Sequence, residues 1–421
     1  MRLARDHTRP CDRAGSHEGV GDMTFRRTSI QGLLALLLAA ACASNATPTP
    51  GVTPSPTSVP TASPIPTASP SPAWHWKQVG TIGAGETPGA ETINTAIGFD
   101  GGYVALVLGT AWYSLDGAGW EQIELGGPID YCPGSNGAPL SAVRFTAAAS
   151  DGTRVLLVGV EQTGPCYDAW SPSPTRALSW LSSDGRHWSR SLGPGVATDS
   201  DPVAVWPIAG GWEAAVHEGI WGFGSGESTI VWRWTDGLAW KATSFGVKVS
   251  HDWVHATASA AGDRLFTYRV GSRTVIMTSS DGDTWREIEG AIGKTAVITH
   301  ILPPVPDGPS RWLVLALPPN TTAWLSSDLE HWDARVITLD RHVSAVVGTP
   351  DGYVDSVIPE CQGVMCPDGP QSQYISPDGL TWTPLTPALE EVGLLVSGPA
   401  GVLAISGFDS GAIRTVWRLE P

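Results

Sequence analysis

Acidic residues are the first place to look for chemistry in this sequence of 421 residues. Hydrolysis of a glycosidic bond needs two carboxyl groups about 5 to 10 Å apart, on either side of the bond that breaks. The candidates are Asp199, Asp201, Asp252 and Glu360. Their positions along the chain do not pair them, so the sequence assigns no catalytic residue and leaves open whether the protein is an enzyme.

Four cysteines form a second candidate set: Cys132, Cys166, Cys361 and Cys366. An even number of cysteines in an exported chain predicts disulfides, and four cysteines allow three pairings. We expect Cys132 to pair with Cys166 and Cys361 with Cys366, because each pair falls on loops of one repeat unit in the architecture derived below. The alternative is a metal site, but no histidine lies at ligand spacing beside these cysteines. We therefore expect neither a metal nor another cofactor.

Aromatic and charged residues in loop-like segments form a third set, which suits the binding of a glycan or a peptide. The candidate ligand-binding residues are Tyr131, Trp221, His251, Asp252, Trp253, Arg269 and Arg341. The alternative for these residues is structural, with solvated histidines and with Trp253 packed inside the fold.

The fold that positions these residues is indicated by a repeated sequence motif. Aspartates recur at intervals of about 45 to 70 residues, each followed four residues later by a tryptophan, at Asp116, Asp184, Asp236, Asp281, Asp328 and Asp378. Serine precedes the aspartate by two positions and glycine follows it in five of the six copies. Aspartate and serine can accept hydrogen bonds from the backbone of a tight turn, and glycine supplies positive φ. The motif predicts a strand, a turn and a second strand.

A second turn precedes each copy, as in "SDGT" at 150–153, and β-rich apolar runs flank it. Two hairpins per period make four antiparallel strands, which is one propeller blade. With 49 glycines, 35 prolines and 20 tryptophans, the composition also suits an all-β protein. There are seven of these preceding turns, and the strand at 76–79 resembles the missing last strand of the seventh blade. The prediction is a seven-bladed β-propeller closed by its N- and C-terminal strands.

The turns resemble the Asp-box repeats, also called bacterial neuraminidase repeats, whose pattern is Ser-x-Asp-x-Gly-x-x-Trp. Here aspartate and glycine are adjacent, one residue short of that pattern. The resemblance covers residues 74–421 and implies a sialidase-like β-propeller. Sialidases, other glycosidases, photosystem assembly factors and binding proteins all carry such turns, so the resemblance implies no single function.

A sialidase would bring three arginines from different blades to one carboxylate, beside a Tyr–Glu pair and an acidic aspartate. Arg144, Arg269 and Arg341 lie in different predicted blades, but the Arg-Ile-Pro stretch of the sialidases is absent. We therefore favour a binding or scaffold module without catalysis. A sialidase-like glycoside hydrolase and an assembly factor for a membrane complex are the alternatives.

The N-terminal part of the sequence predicts export. Residues 23–41 contain a basic start and an apolar run too short to span a bilayer, as a signal peptide does. They end in "LAAAC", which resembles the lipobox of bacterial lipoproteins, so by that resemblance Cys42 carries a lipid. An ordinary cleaved signal with an incidental cysteine is the alternative. Residues 1–22 are polar and would displace the signal, which indicates a mis-assigned start.

Residues 42–73 are rich in proline, serine and threonine and predict an extended linker. The formal net charge of −16 opposes binding to phosphate backbones, so we expect no nucleic acid partner. The expected protein is a monomer that is held at a membrane by its lipid, on the outer side of that membrane. Its expected partner is an extracellular glycan or protein.

Overall fold

The computed structural model describes about three fifths of the chain, all of it within the compact unit Pro70–Pro421. The described residues are 73–83, 95–107, 110–125, 131–133, 139–141, 143–162, 175–195, 200–218, 228–235, 239–248, 254–288, 292, 296–316, 321–337, 339, 342–358, 371–390, 392–406 and 413–421. In this part of the chain no helix is long and apolar enough to span a membrane.

The described strands form seven antiparallel sheets of four strands, which confirms the predicted seven-bladed propeller. Blade 1 contains β2 (Thr95–Phe99), β3 (Gly102–Val107), β4 (Thr110–Ser114) and β5 (Glu121–Ile123). Blade 2 contains β8 (Val143–Ser150), β9 (Val155–Gln162), β10 (Thr175–Ser182) and β11 (Ser189–Leu192). Blade 3 contains β12 (Ser200–Ile208), β13 (Gly211–Glu218), β14 (Ser228–Thr235) and β15 (Lys241–Val247).

The next three blades repeat this order. Blade 4 contains β16 (His255–Ala258), β17 (Arg264–Val270), β18 (Arg273–Ser279) and β19 (Arg286–Glu287). Blade 5 contains β20 (Ile298–Leu302), β21 (Trp312–Ala316), β22 (Thr322–Ser326) and β23 (Asp333–Val336). Blade 6 contains β24 (His342–Thr349), β25 (Gly352–Ile358), β26 (Ser372–Ser376) and β27 (Thr383–Pro384).

Blade 7 is built from both ends of the propeller, as the sequence predicts. It contains β28 (Val392–Gly398), β29 (Gly401–Ser406), β30 (Arg414–Glu420) and, as its outer strand, β1 (His75–Ile82). Strands β1 and β30 pair antiparallel from His75 opposite Glu420 to Ile82 opposite Arg414. This pairing closes the ring by joining the first strand of the propeller to its last.

Burial follows the position of each strand in its blade. The first strands of neighbouring blades contact one another and form the inner ring. Second strands such as β13 and β21 are buried on both sides, which explains their nearly continuous apolar sequences, whereas the fourth strand β23 is exposed along its length. Seven apolar clusters lie between successive blades, and Trp206, Trp212 and Trp312 are fully buried in them. Each such side chain contributes about 1.5–3 kcal/mol or more by burial.

One element was not predicted. Strands β6 (Tyr131–Pro133) and β7 (Pro139–Ser141) form a separate two-stranded hairpin in the connection between blades 1 and 2. Cys132 therefore lies on a strand rather than in an irregular loop, with Leu140 as its partner across the hairpin.

Candidate functional site

The strand order divides the propeller into two faces. The turns between first and second strands and between third and fourth strands lie at one end of every blade, which we call the aspartate-turn face. The turns between second and third strands and the connections between blades lie at the other end, which we call the opposite face. Two candidate ligand-binding residues lie in described strands at the opposite face or next to it: Tyr131 in β6 and Arg269 at the end of β17.

The aspartate turns are closed by their own side chains. In blade 1, Ser114 Oγ accepts a hydrogen bond from the Gly117 N–H (2.8 Å), and Asp116 Oδ1 accepts one from the Ala118 N–H (2.9 Å). The Trp120 indole N–H donates to the Gly117 carbonyl (3.0 Å), a contact that sequence reasoning missed. The turns at Asp184, Asp281, Asp328 and Asp378 repeat this arrangement, whereas Asp236 lies outside the described residues.

These hydrogen bonds also fix the charge of the turn aspartates. Backbone N–H groups that donate to the carboxylates hold the pKa of Asp116, Asp281 and Asp328 below the ordinary value of 3.8. In the blade 2 turn the His187 side chain and backbone lower the pKa of Asp184. The turn carboxylates are thus ionised and occupied by the backbone, which confirms their predicted structural role.

Leu329 occupies the glycine position of the blade 5 turn with a φ of 61°, while the glycines in the other described turns have φ between 72° and 78°. A left-handed conformation costs a non-glycine residue about 1–2 kcal/mol. The Leu329 side chain is buried against Leu265 and Trp332 between blades 4 and 5, and this burial offsets the backbone cost. The blade 5 turn therefore keeps the same conformation although leucine replaces glycine.

A buried ionic cluster joins blades 3 and 4 at the aspartate-turn face. Glu213 is fully buried and accepts hydrogen bonds from Arg233 Nε (2.8 Å), Arg264 Nε (2.6 Å) and Trp206 Nε1 (3.0 Å). Arg233 also reaches the Asp281 carbonyl in the blade 4 turn. Sequence reasoning missed this cluster because its members are far apart in the sequence, Glu213 and Arg264 by 51 residues, and share no motif.

At the opposite face, an ion pair joins the first strands of blades 2 and 3. Arg144 Nη2 lies 2.7 Å from Asp201 Oδ2, and Asp201 is 4% exposed. Asp201 is therefore the one proposed catalytic carboxylate that the described residues include, and it is already paired with an arginine. Asp199, Asp252 and Glu360 lie outside the described residues.

Arg269 lies in a narrow crevice at the boundary of blades 4 and 5. The crevice is lined by His255, Thr267, Tyr268, Arg269, Thr274 and Ile298. Burial lowers the pKa of His255, although a hydrogen bond with the Ile298 backbone opposes that shift, so this imidazole is neutral at pH 7. Sequence reasoning selected the nearby His251, Asp252 and Trp253 but not His255, which is the first residue of β16.

The remaining candidates cannot be located in space. Only the backbone of Tyr131 and Cys132 is described, in β6. The others lie outside the described residues: Cys42, Cys166, Trp221, His251, Asp252, Trp253, Arg341, Cys361 and Cys366. The two disulfides therefore stay predictions, and the arginine triad that the sialidase alternative requires is not tested. In the described part of the chain, no group of three or more His, Cys, Asp or Glu side chains could hold a metal ion.

Some buried side-chain oxygen atoms have no hydrogen-bond partner in the described part of the chain. Among the described residues, three buried side-chain oxygens have no hydrogen-bond partner: Asp201 Oδ1, Thr267 Oγ1 and Asp355 Oδ2. Asp201 and Thr267 lie toward the opposite face, beside the two arginines just described, and Asp355 lies in the middle of β25. Buried polar groups are nearly always paired in native proteins, so the first two atoms indicate places that a ligand or water completes.

Comparison with known proteins shows the fold only. No family model and no curated protein matches the sequence. The solved structure described as YCF48 bound to D1 peptide has a TM-score of 0.52 at 15% identity, over 84% of this chain and 99% of that chain. A chain of the mitotic checkpoint complex has a TM-score of 0.53 at 9% identity, over 88% of this chain and 100% of that chain.

A Trypanosoma rangeli sialidase in complex with the inhibitor DANA is more distant, with a TM-score of 0.43 at 14% identity, over 82% of this chain and 59% of that chain. At these identities the likeness does not extend to activity or ligand. The strand order, the ring closure and the comparisons together make this chain a seven-bladed β-propeller.

Proposed function

We propose that this protein is a lipid-anchored, extracytoplasmic propeller that binds a glycan or a protein partner through its opposite face and catalyses no reaction. The observation that carries the proposal is the position of the buried, unpartnered oxygens of Asp201 and Thr267 at that face, each beside an arginine. At the aspartate-turn face, by contrast, the turn carboxylates are occupied by backbone donors.

Binding rather than catalysis is favoured by the contact that the described carboxylate already makes. Arg144 lies 2.7 Å from Asp201 Oδ2, so this oxygen already has a partner within the protein. Among solved structures with this fold, YCF48 is bound to a peptide, which supports a peptide or protein as one class of partner for this chain. The net charge of −16 opposes nucleic acid as a partner.

The anchor belongs to the same proposal. By the lipobox resemblance, Cys42 carries the lipid, and the linker at residues 42–73 separates the propeller from the membrane. Replacing Cys42 with Ser should abolish the uptake of radioactive fatty acid and release the protein from membranes. If the unmutated protein incorporates no label, the anchor part of the proposal is wrong, and the binding part is unaffected.

Arrays of glycans and peptides, probed with the full chain, test the binding part. Arg144→Ala alters the opposite face, and Arg286→Ala is the matched control because Arg286 pairs with Glu330 near the aspartate-turn face, 3.0 Å away. We expect Arg144→Ala to weaken binding to the best array ligand about tenfold or more and the control to leave it unchanged. Equal effects of the two variants would contradict the proposal. Hydrolysis of a fluorogenic sialoside that Asp201→Asn abolishes would instead support the glycosidase.

A further inference from the structure

Blade 6 departs from the other blades at one buried position of its second strand. Asp355 on β25 lies opposite Tyr374, which is four residues before the turn aspartate Asp378. The equivalent positions of the other six blades carry apolar residues, all fully buried: Ala105, Leu157, Ala214, Phe266, Val314 and Ala404. Asp355 is fully buried as well. The repeat thus shows that an apolar side chain suits the packing at this position, and blade 6 places a carboxyl group there instead.

Asp355 faces the apolar cluster between blades 5 and 6. Tyr353 and Val357, which share its face of β25, belong to this cluster. Beside Asp355 in the same sheet are Val346 of β24 and Tyr374 of β26, both partly buried against the cluster. The titratable side chains among these neighbours are the phenols of the two tyrosines. Blade 5 contributes aliphatic residues from three strands: Leu302, Leu313, Leu315, Ala323 and Leu325.

The carboxyl group of Asp355 is only partly satisfied in these surroundings. Its Oδ1 accepts a hydrogen bond from the Tyr374 N–H (3.1 Å), whereas its buried Oδ2 has no hydrogen-bond partner. An apolar environment opposes the charged form of a carboxyl group much more strongly than the neutral form. Burial accordingly raises the pKa of Asp355 well above 3.8. The packed boundary therefore favours the protonated carboxyl group.

The boundary between blades 5 and 6 is the route by which water would reach Asp355, because the side chain faces blade 5. The apolar cluster holds this boundary together with the Tyr353 hydroxyl, which donates to the Arg311 carbonyl (3.2 Å). Blades 3 and 4 are joined differently, by the buried ion pair of Glu213 and Arg264. Entry of water at the boundary of blades 5 and 6 would therefore solvate a carboxyl group that its packed neighbours leave partly unsatisfied.

We propose that Asp355 is a pH-sensitive switch that opens the boundary between blades 5 and 6. While Asp355 keeps its proton, the two blades stay packed. When the boundary opens, the O–H bond breaks, the proton passes to water and a solvated carboxylate remains, which must be protonated again before the blades can close. Each pH unit above about 4 thus favours the open state about tenfold, until the raised pKa of the closed state is reached. This inference does not depend on the proposed binding function.

Hydrogen exchange of the full chain between pH 5 and pH 8, followed by mass spectrometry and corrected for the intrinsic exchange rate, tests the switch. We expect the protection of amides in β21, β22 and β25 to fall about tenfold per pH unit over part of this range. Protection in β9 and β10 of blade 2 should stay constant.

Three variants locate the effect. Asp355→Asn cannot ionise, so it should remove the pH dependence at the boundary. Asp355→Val introduces the residue that blade 5 has at this position, Val314, and should have the same effect, so the test remains if the asparagine variant does not fold. Asp378→Asn changes an exposed carboxylate of the same blade and should leave the pH dependence as it is in the unmutated protein. Melting temperatures show that each variant is folded.

Three results would overturn the inference. Constant protection at the boundary from pH 5 to pH 8 in the unmutated protein would mean that Asp355 does not control opening. An equal loss of protection in all blades would mean that its ionisation loosens the whole ring rather than one boundary. A pH dependence that persists in both Asp355 variants would assign the effect to another group.

Discussion

At the aspartate-turn face, the five described turns repeat the same serine, aspartate and tryptophan contacts. The buried carboxylate of Glu213 lies beside these turns and accepts hydrogen bonds from three side chains. At the opposite face the described polar groups differ from blade to blade, and two buried oxygens lack partners. The same strands support both faces. The repeated face therefore determines the ring, and the irregular face is free to determine what the ring binds.

The largest expected effect comes from the ionic cluster between blades 3 and 4. Glu213→Ala leaves the buried Arg264 and the partly buried Arg233 without their carboxylate, and removing one partner of a buried pair costs about 3–5 kcal/mol. Glu330→Ala breaks an exposed pair with Arg286 and should cost less than about 1 kcal/mol. Urea unfolding measures both values. Similar losses in the two variants would remove the distinction between a cluster that stabilises the ring and an ordinary surface pair.

Three glycines with similar backbone conformations differ in the space around them, so alanine substitutions at these positions report local packing. Gly282, Gly210 and Gly271 have φ of 77°, 73° and 59°, so alanine at each position carries the same conformational cost of about 1–2 kcal/mol. At Gly282 the added Cβ would also lie against Glu213 and Arg233 and 2.9 Å from Arg264 Nε, whereas it would meet nothing within 4 Å at the other two.

We expect Gly282→Ala to cost about 2–4 kcal/mol and the other two substitutions about 1 kcal/mol each. Thermal unfolding at pH 7 would show the difference. A Gly271→Ala variant as unstable as Gly282→Ala would mean that contacts with the ionic cluster are not what makes Gly282 sensitive.

Two carboxylates of blade 6 predict opposite pH dependence. Burial acts to raise the pKa of Asp378, but hydrogen bonds from the Thr381 and Leu380 backbone outweigh it and the pKa is lowered. Asp378 therefore stabilises the fold above about pH 4, and this contribution is lost as the pH falls through its lowered pKa. Asp378→Asn should cost about 1 kcal/mol at pH 7 and much less below pH 3.

Asp355 behaves in the reverse way. Burial raises its pKa well above 3.8, and a single hydrogen bond from the Tyr374 N–H opposes the shift. The folded state then binds a proton that the unfolded state releases, so the stability of the ring decreases as the pH rises from about 4 toward the raised pKa. Asp355→Asn should raise the melting temperature relative to the unmutated protein by an amount that grows from pH 4 to pH 8. A difference independent of pH would show that Asp355 is ionised.

The smallest effect on stability is expected for Arg269→Gln at the opposite face. Arg269 is only partly buried, and substitutions at such positions usually change stability by about 0.5 kcal/mol or less. Measuring the binding of the best array ligand to the same variant then separates binding from folding. A large loss of stability would place Arg269 among the residues that hold the ring together.

The ring could be predicted from the sequence because its signals are local. Each aspartate turn lies within nine residues, and the closing strand resembles its counterparts in the other blades. The ionic cluster could not be predicted, since Glu213 meets Arg264 only after blades 3 and 4 have packed. The crevice could not be predicted either, since His255 and Arg269 come together only when β16 pairs with β17 and Ile298 of blade 5 packs beside them. The tryptophans of the turns were expected to pack, and they do, but their indole donors to the turn carbonyls had no sequence signal.

The pairing of β1 with β30 also affects the order in which the chain folds during synthesis. Lys77 and Glu420, which form an ion pair across this junction, are 343 residues apart. At about 5–20 residues per second, a ribosome needs roughly 17 to 70 s to make the chain between them. During that interval the first strand exists without its partner and could pair with the wrong edge. Exposed Lys77 and Gln78 on β1 reduce that danger, because charged and polar side chains discourage accidental strand pairing. Ring closure is therefore the last step in the folding of the newly synthesised propeller.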